Sequence, residues 1–144
     1  MRRSGSVLAL LAWVAGSAAI ASEPKVVALG RKFSLRVGES AQVEGEGLEI
    51  GFESVVADSR CPKGEQCIRE GEATIRVWLR KAPGARETQE LHVSSEDGSL
   101  SGQGYELRAL RLDPYPISGK ATEASAYSAS LEVARAVSPP EGAR

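Results

Sequence analysis

Few side chains in this protein of 144 residues are equipped for covalent or metal chemistry. There are two cysteines, Cys61 and Cys67, and one histidine, His92. The cysteines stand with five residues between them in Asp58-Ser59-Arg60-Cys61-Pro62-Lys63-Gly64-Glu65-Gln66-Cys67. In an oxidising compartment two nearby thiols form a disulfide by default, and Pro62 and Gly64 favour the chain reversal that brings the sulfurs together. For a loop this short the chain-entropy model gives about 2.4 kcal/mol of stabilisation, so the bond's larger effect is to stiffen a polar excursion. Metal binding and redox catalysis are the rival readings. A zinc site assembles four ligands, and His92 lies far off in an alternating segment; a thioredoxin-like pair has two intervening residues, not five. No metal or cofactor is expected.

Around the cysteines, Asp58, Arg60, Lys63 and Glu65 are the candidate recognition residues. Asp58 is placed to accept backbone amides in an Asx-type turn, with Arg60 pairing to an acid such as Glu53 or Glu72. Alternatively Arg60, Lys63 and Glu65 project from the pinned loop, whose rigidity lowers the ordering cost of binding. Catalysis is hard to build elsewhere, because there is no nucleophile elbow, no phosphate-cradling glycine loop and no paired His and carboxylate spacing. The carboxylates are scattered over strand faces. His92 is expected to be a half-buried strand residue, and no enzyme activity is expected.

The elements that must position these residues are strands. Helical periodicity is nearly absent, while period-2 alternation recurs in short segments separated by Gly, Pro, Ser and Asp. About seven strands are predicted. Phe33, Leu35 and Val37 alternate into a turn at Gly38-Glu39; a short segment follows over 41–44; Leu48, Ile50 and Phe52 share a face of a strand over 48–57. Val55 and Val56 close that strand with both faces apolar, which predicts burial on both sides. The clearest strand spans 72–81, with Ala73, Ile75, Val77 and Leu79 on one face and Thr74, Arg76, Trp78 and Arg80 on the other. Trp78 is expected to be buried; exposed beside the two arginines it becomes a contact candidate. A turn over 81–85 leads to a hairpin partner over 87–93, then to a polar loop over 94–104. In the strand over 105–112 the apolar phase shifts from Tyr105, Leu107 and Ala109 to Leu110 and Leu112, predicting a bulge near Ala109. Asp113-Pro114-Tyr115-Pro116 must leave the sheet, and Tyr127, Ala129, Leu131 and Val133 mark a last strand. The expected fold is an all-β, antiparallel β-sandwich of immunoglobulin-like size, with a small open barrel as the alternative.

Residues 1–21 read as a cleavable signal peptide. Arg2 and Arg3 precede an uncharged apolar run from Val7 to Ile20, which closes on Ala19-Ile20-Ala21. The run is too short for a spanning helix and is broken by Gly16 and Ser17, so an uncleaved anchor is the weaker reading. No cysteine stands near its end to accept a lipid, and no stable membrane anchor is expected after cleavage. The remainder is expected to be one β domain over 22–137 with a flexible tail over 138–144. Without Arg2 and Arg3 the balance is 16 basic against 19 acidic residues, interspersed. No basic patch supports nucleic acid as a partner, and aromatics are too few for a stacking platform.

The stretch Asp58-Ser59-Arg60-Cys61-Pro62, with Cys67 and Gly71, resembles a family of small secreted bacterial proteins and lipoproteins of unknown function. The resemblance extends through Tyr105-Glu106-Leu107, Leu112-Asp113-Pro114-Tyr115-Pro116 and the segment from Tyr127. It implies export and a β fold and brings no activity with it. Where such proteins show tryptophan after the second cysteine, this sequence has Ile68-Arg69-Glu70, and the lipid-anchor cysteine of many relatives is missing. Residues 33–43 also resemble the opening strands of chagasin-type cysteine peptidase inhibitors, whose Asn-Pro-Thr-Thr-Gly loop has no counterpart here. The expected function is an exported binding or interaction module, periplasmic or extracellular, meeting a protein partner through the cysteine loop. The alternatives are an inhibitor of secreted peptidases using Arg60 or Lys63, and a structural accessory protein of the envelope.

Overall fold

The computed structural model describes residues 24–93 and 98–137. The expected signal peptide over 1–21 and tail over 138–144 lie outside the described residues. The described residues form nine strands: β1 (Lys25–Val27), β2 (Lys32–Arg36), β3 (Ser40–Val43), β4 (Leu48–Asp58), β5 (Ala73–Lys81), β6 (Glu87–Val93), β7 (Ser99–Gly102), β8 (Tyr105–Asp113) and β9 (Ser128–Arg135). A 3-10 turn, Ala124–Ala126, precedes β9. One sheet has the order β1-β3-β4-β5-β6 and the other β2-β9-β8-β7. The pairs are antiparallel except β1 with β3, which is parallel. The two sheets are not closed on each other, and the molecule is a β-sandwich, not a barrel.

The core lies between the sheets. Ala73, Ile75, Val77 and Leu79 of β5 are fully buried with Leu48, Ile50 and Phe52 of β4, and they face Leu35, Leu107, Ala109, Leu131 and Val133 of the second sheet. Each large apolar side chain so covered contributes about 1.5–3 kcal/mol. The bulge expected near Ala109 is present, since the β8–β9 register shifts between Ala109 and Arg111. Two strands lie outside the seven read from the pattern. β1 has three residues and one buried side chain, Val27, and β7 arises inside the expected polar loop with only Leu100 apolar. Segments so short hold too few residues for alternation to register.

Three expectations about burial are corrected. Val55 is half-buried against the edge of the core and Val56 is 42% exposed, because β4 shifts register at Phe52/Ser54 and again at Val55/Ala57. Trp78 is half-buried on the outer face. It lies against Gly51, its register partner, where a Cβ would sit 2.0 Å from the indole, and the Arg86 guanidinium stacks 3.9 Å from the ring centroid. His92 is exposed, on the same outer face as Thr74, whose hydroxyl lies 3.1 Å from Nδ1.

The ends of the sheets decide where the cysteine loop sits. Asp58 ends β4 opposite Ala73, which begins β5; Asp113 ends β8 opposite Ser128, which begins β9. The connections 59–72 and 114–127 therefore leave from one end of the sandwich, one from each sheet, and meet there.

Candidate functional site

The cysteine loop begins as a continuation of the β4–β5 ladder. The Ser59 amide donates to the Glu72 carbonyl (2.8 Å), and its hydroxyl donates to the same oxygen (2.9 Å) while accepting from the Glu72 amide (3.1 Å). Cys61 extends the pairing with its amide on the Glu70 carbonyl (2.7 Å). Gly71 permits this closeness: its φ is +68° and a Cβ there would meet the Ser59 carbonyl oxygen at 1.8 Å. Cys61 and Cys67 are joined in a disulfide with Cα atoms 5.9 Å apart.

Arg60 turns inward and fastens the two sheets together. Its guanidinium donates from Nε to Asp58 Oδ1 (2.7 Å) and from Nη2 to Asp58 Oδ2 (2.7 Å), the forked geometry that suits arginine to a carboxylate. Nη1 donates to the Leu112 carbonyl (2.7 Å) and Nη2 to that of Pro114 (3.1 Å), both beyond the sheet boundary. Asp58 Oδ2 also accepts the Tyr127 hydroxyl (3.1 Å). The Arg60 and Asp58 side chains are only 11% and 10% exposed. Hydrogen bonds from Arg60 hold the Asp58 carboxyl below its ordinary range, and burial, then the bond to Asp58, raises the Tyr127 phenol. The carboxylate is thus kept ionised with its oxygens engaged, an arrangement that anchors a cation and leaves no lone pair poised to take a proton.

Tyr115 completes the junction. Its hydroxyl donates to the Cys61 carbonyl (2.8 Å), and its ring centroid is 5.0 Å from the Arg60 guanidinium and 5.8 Å from the Lys63 ammonium, within cation–π range. Lys63 is held through its backbone, donating to the Pro116 carbonyl and accepting from the Ser118 amide (3.0 Å each). The Ser118 hydroxyl donates to Glu65 Oε1 (2.8 Å). The first half of the loop is consequently sewn to 116–118, while the second half is tied by the disulfide and the Glu70 carbonyl.

Of the four residues singled out in the sequence, Lys63 and Glu65 lie at the surface and Asp58 and Arg60 do not. Arg60 pairs with Asp58 itself, not with Glu53, which faces Arg76 at 3.9 Å, nor with Glu72, which lies 3.6 Å from His92. Asp58 does receive the Arg60 amide, but at 3.4 Å, so the Asx-type turn is a minor part of its work. Several surface residues gave no sequence signal of their own. Ile68 is completely exposed beside Cys67, and Tyr115 and Ile117 are 40% and 49% exposed. Three hollows of about 620, 440 and 260 Å³ surround this end, and Tyr115 lines all three. The pairing of an aromatic with two flanking prolines, Pro114 and Pro116, was the available clue.

Comparison with models of known protein families, with curated proteins and with solved structures gives no match for this sequence.

Proposed function

We propose that this protein is an exported binding module that presents the disulfide-closed loop to a protein partner. One observation carries the reading: Ile68, an apolar side chain with no contact to hide it, stands fully exposed directly after Cys67, which closes the disulfide ring of 61–67. Ordering such a side chain on binding releases its apolar surface from water at small conformational cost, because the loop is already fixed. Tyr115 and Ile117 add partly exposed apolar area at the same end, and buried aromatic anchors of this kind dominate binding energies. The apolar run over 7–20 and the disulfide, which suits an oxidising compartment, support export.

The test is a photo-crosslinking amino acid placed at Ile68 and, as a control, at Glu44, which is exposed beyond the opposite end of β4. A discrete crosslinked species from position 68 of the exported protein, absent from position 44 and lost when unlabelled wild type competes, is the expected result. Identical patterns at both positions, or none at 68, would retire the proposal. A peptidase-inhibitor reading is favoured by a different observation, the exposed Lys63 whose amide and carbonyl are both fixed to 116–118. Inhibition of trypsin-like peptidases abolished by Lys63→Gln supports it, and its absence at micromolar protein removes it. Arg60 is committed to the clamp and is not free for that role.

A further inference from the structure

The bulge in β8 has a consequence at the surface. Alternation through Leu107 and Ala109 would next send Arg111 into the core; the register shift instead leaves Leu110 without a partner in β9, returns Leu112 to the core, and puts Leu110 and Arg111 side by side outside it. Both line the hollow of about 440 Å³, whose other walls are Val93 at the end of β6, Leu112, Tyr115, Arg60, Lys63 and Asp113. Bulges beside such hollows re-aim side chains, and here the two re-aimed residues are one apolar and one cationic.

The charges of this groove are unequal. Arg60 is answered by Asp58 and Arg111 by Asp113, each at 2.7 Å, whereas Lys63 has no carboxylate within 4.0 Å among the described residues. Around this hollow three cations thus meet two carboxylates, whereas the adjoining hollow of about 620 Å³ adds Arg69 against Glu65, Glu70 and Glu72, so the cationic excess is confined to the smaller hollow. The Arg111–Asp113 pair is open to water, with Arg111 72% exposed, so it is weak and exchangeable for another carboxylate. The Arg60–Asp58 pair is not. The groove runs on into the hollow of about 620 Å³ through shared walls at Arg60, Lys63, Val93 and Tyr115, giving an extended shape that suits a peptide segment. A polyanion would require many more cations to release its counterions.

We propose that this groove binds a peptide carboxylate flanked by apolar side chains, with Lys63 and Arg111 on the carboxylate and Val93, Leu110 and Tyr115 around its neighbours. This deepens the binding-module reading and rests on it. The carboxylate belongs either to an acidic side chain or to a peptide's C-terminus. Arg111 leaves Asp113 to take up the peptide, and Lys63 gains the partner it lacks.

The experiment uses the mature protein, 15N-labelled, titrated with four pentapeptides. Acetyl-Ala-Leu-Glu-Leu-Ala-amide holds the acid internally, the Gln analogue removes it, the analogue with Ala for both Leu removes the flanks, and acetyl-Ala-Leu-Ala-Leu-Ala with a free C-terminus moves the carboxylate to the last residue. Saturable amide shifts centred on Lys63, Leu110 and Arg111 are expected with a carboxylate peptide, about tenfold weaker binding for the Gln analogue, and a comparable loss in Lys63→Gln and Arg111→Gln at unchanged thermal stability. Leu110→Ser should weaken the Leu peptide and not the Ala analogue. Whichever of the internal and terminal acids binds more tightly identifies the source. No saturable shifts with any peptide up to about 5 mM, equal affinity for the Glu and Gln peptides without tighter binding of the free C-terminal acid, or shifts mapping elsewhere overturns the proposal. So does binding of phosphatidylglycerol vesicles through Lys63 and Arg111 in place of peptides. If crosslinking from Ile68 persists while every peptide fails, the groove assignment falls and the binding module stands; loss of both retires both.

Discussion

Arg60→Ala removes four hydrogen bonds at once and leaves Asp58 without its cation. Removing one partner of a fully buried ion pair costs about 3–5 kcal/mol. Here Asp58 is 10% exposed and keeps the Tyr127 hydroxyl, so part of its charge remains solvated and bonded. The Pro114 carbonyl loses a charge-assisted donor at the surface, while the carbonyl of Leu112, a buried residue, loses one in a part-buried position. The expected destabilisation is about 2–3 kcal/mol, which lowers Tm by about 8–15 °C for a domain of this size. Denaturant melts of the oxidised mature protein measure it. A double-mutant cycle with Asp58→Ala isolates the pair and should give a coupling of about 1.5–2 kcal/mol. Arg60→Lys, which keeps the charge and loses the fork, should recover less than half of the deficit. Because the folded carboxyl sits below its ordinary value of 3.8, its contribution is fully present above that pH and disappears as the pH falls through the lower folded value. The stability gap between wild type and Asp58→Asn should therefore close on acidification below about pH 4. A coupling under about 0.5 kcal/mol, or a gap that is constant with pH, would refute the clamp.

Other perturbations separate the parts of the junction. Cys61→Ser with Cys67→Ser should cost about 2 kcal/mol in urea melts, and hydrogen exchange should quicken at 66–70 more than at 61–65, whose bonds to 116–118 survive. Gly51→Ala drives a methyl into the indole and should cost about 1–3 kcal/mol; in protein produced without residues 1–21 Trp78 is the one tryptophan, so a red-shifted emission reports its displacement. Gly71→Ala should cost more than Gly51→Ala in the same melts, because the obstacle is the Ser59 carbonyl, which cannot rotate aside, and the φ is positive as well.

The sandwich was legible because β2, β5 and β9 alternate strictly and each turn is marked by Gly or Pro. The bulge at Ala109 was legible for the same reason, since a change of phase leaves a trace in the residue types. What escaped were features set by pairing at a distance. Val55 and Val56 both look like core residues, but two register shifts in β4 leave Val55 packed only at the core's edge and turn Val56 to the surface. Trp78 looks like a core residue until Gly51, 27 positions earlier, proves to offer it a flat seat on the outer face. Sequence pattern alone offers Arg60 an acid such as Glu53 or Glu72 as its partner and leaves Asp58, two residues earlier, to the backbone. No local pattern reveals that the Leu112 and Pro114 carbonyls stand where a guanidinium facing back to Asp58 can also reach them.

The residues of distinctive type in the stretch 58–71 are the ones the junction consumes. Asp58 and Arg60 make the clamp, Ser59 carries the ladder past its end, the cysteines close the loop, Gly71 lets the strands approach, and Tyr115 sits on the Cys61 carbonyl. A motif built of such residues specifies where a loop is held and is silent about what the loop holds. On the proposed reading, recognition falls to positions the motif leaves open: Ile68 directly after Cys67, Lys63 between the cysteines, and Leu110 and Arg111, turned outward by the bulge. The architecture therefore predicts that exchanging these four residues alters partner preference with little effect on Tm, whereas exchanging the motif residues lowers Tm whatever the partner.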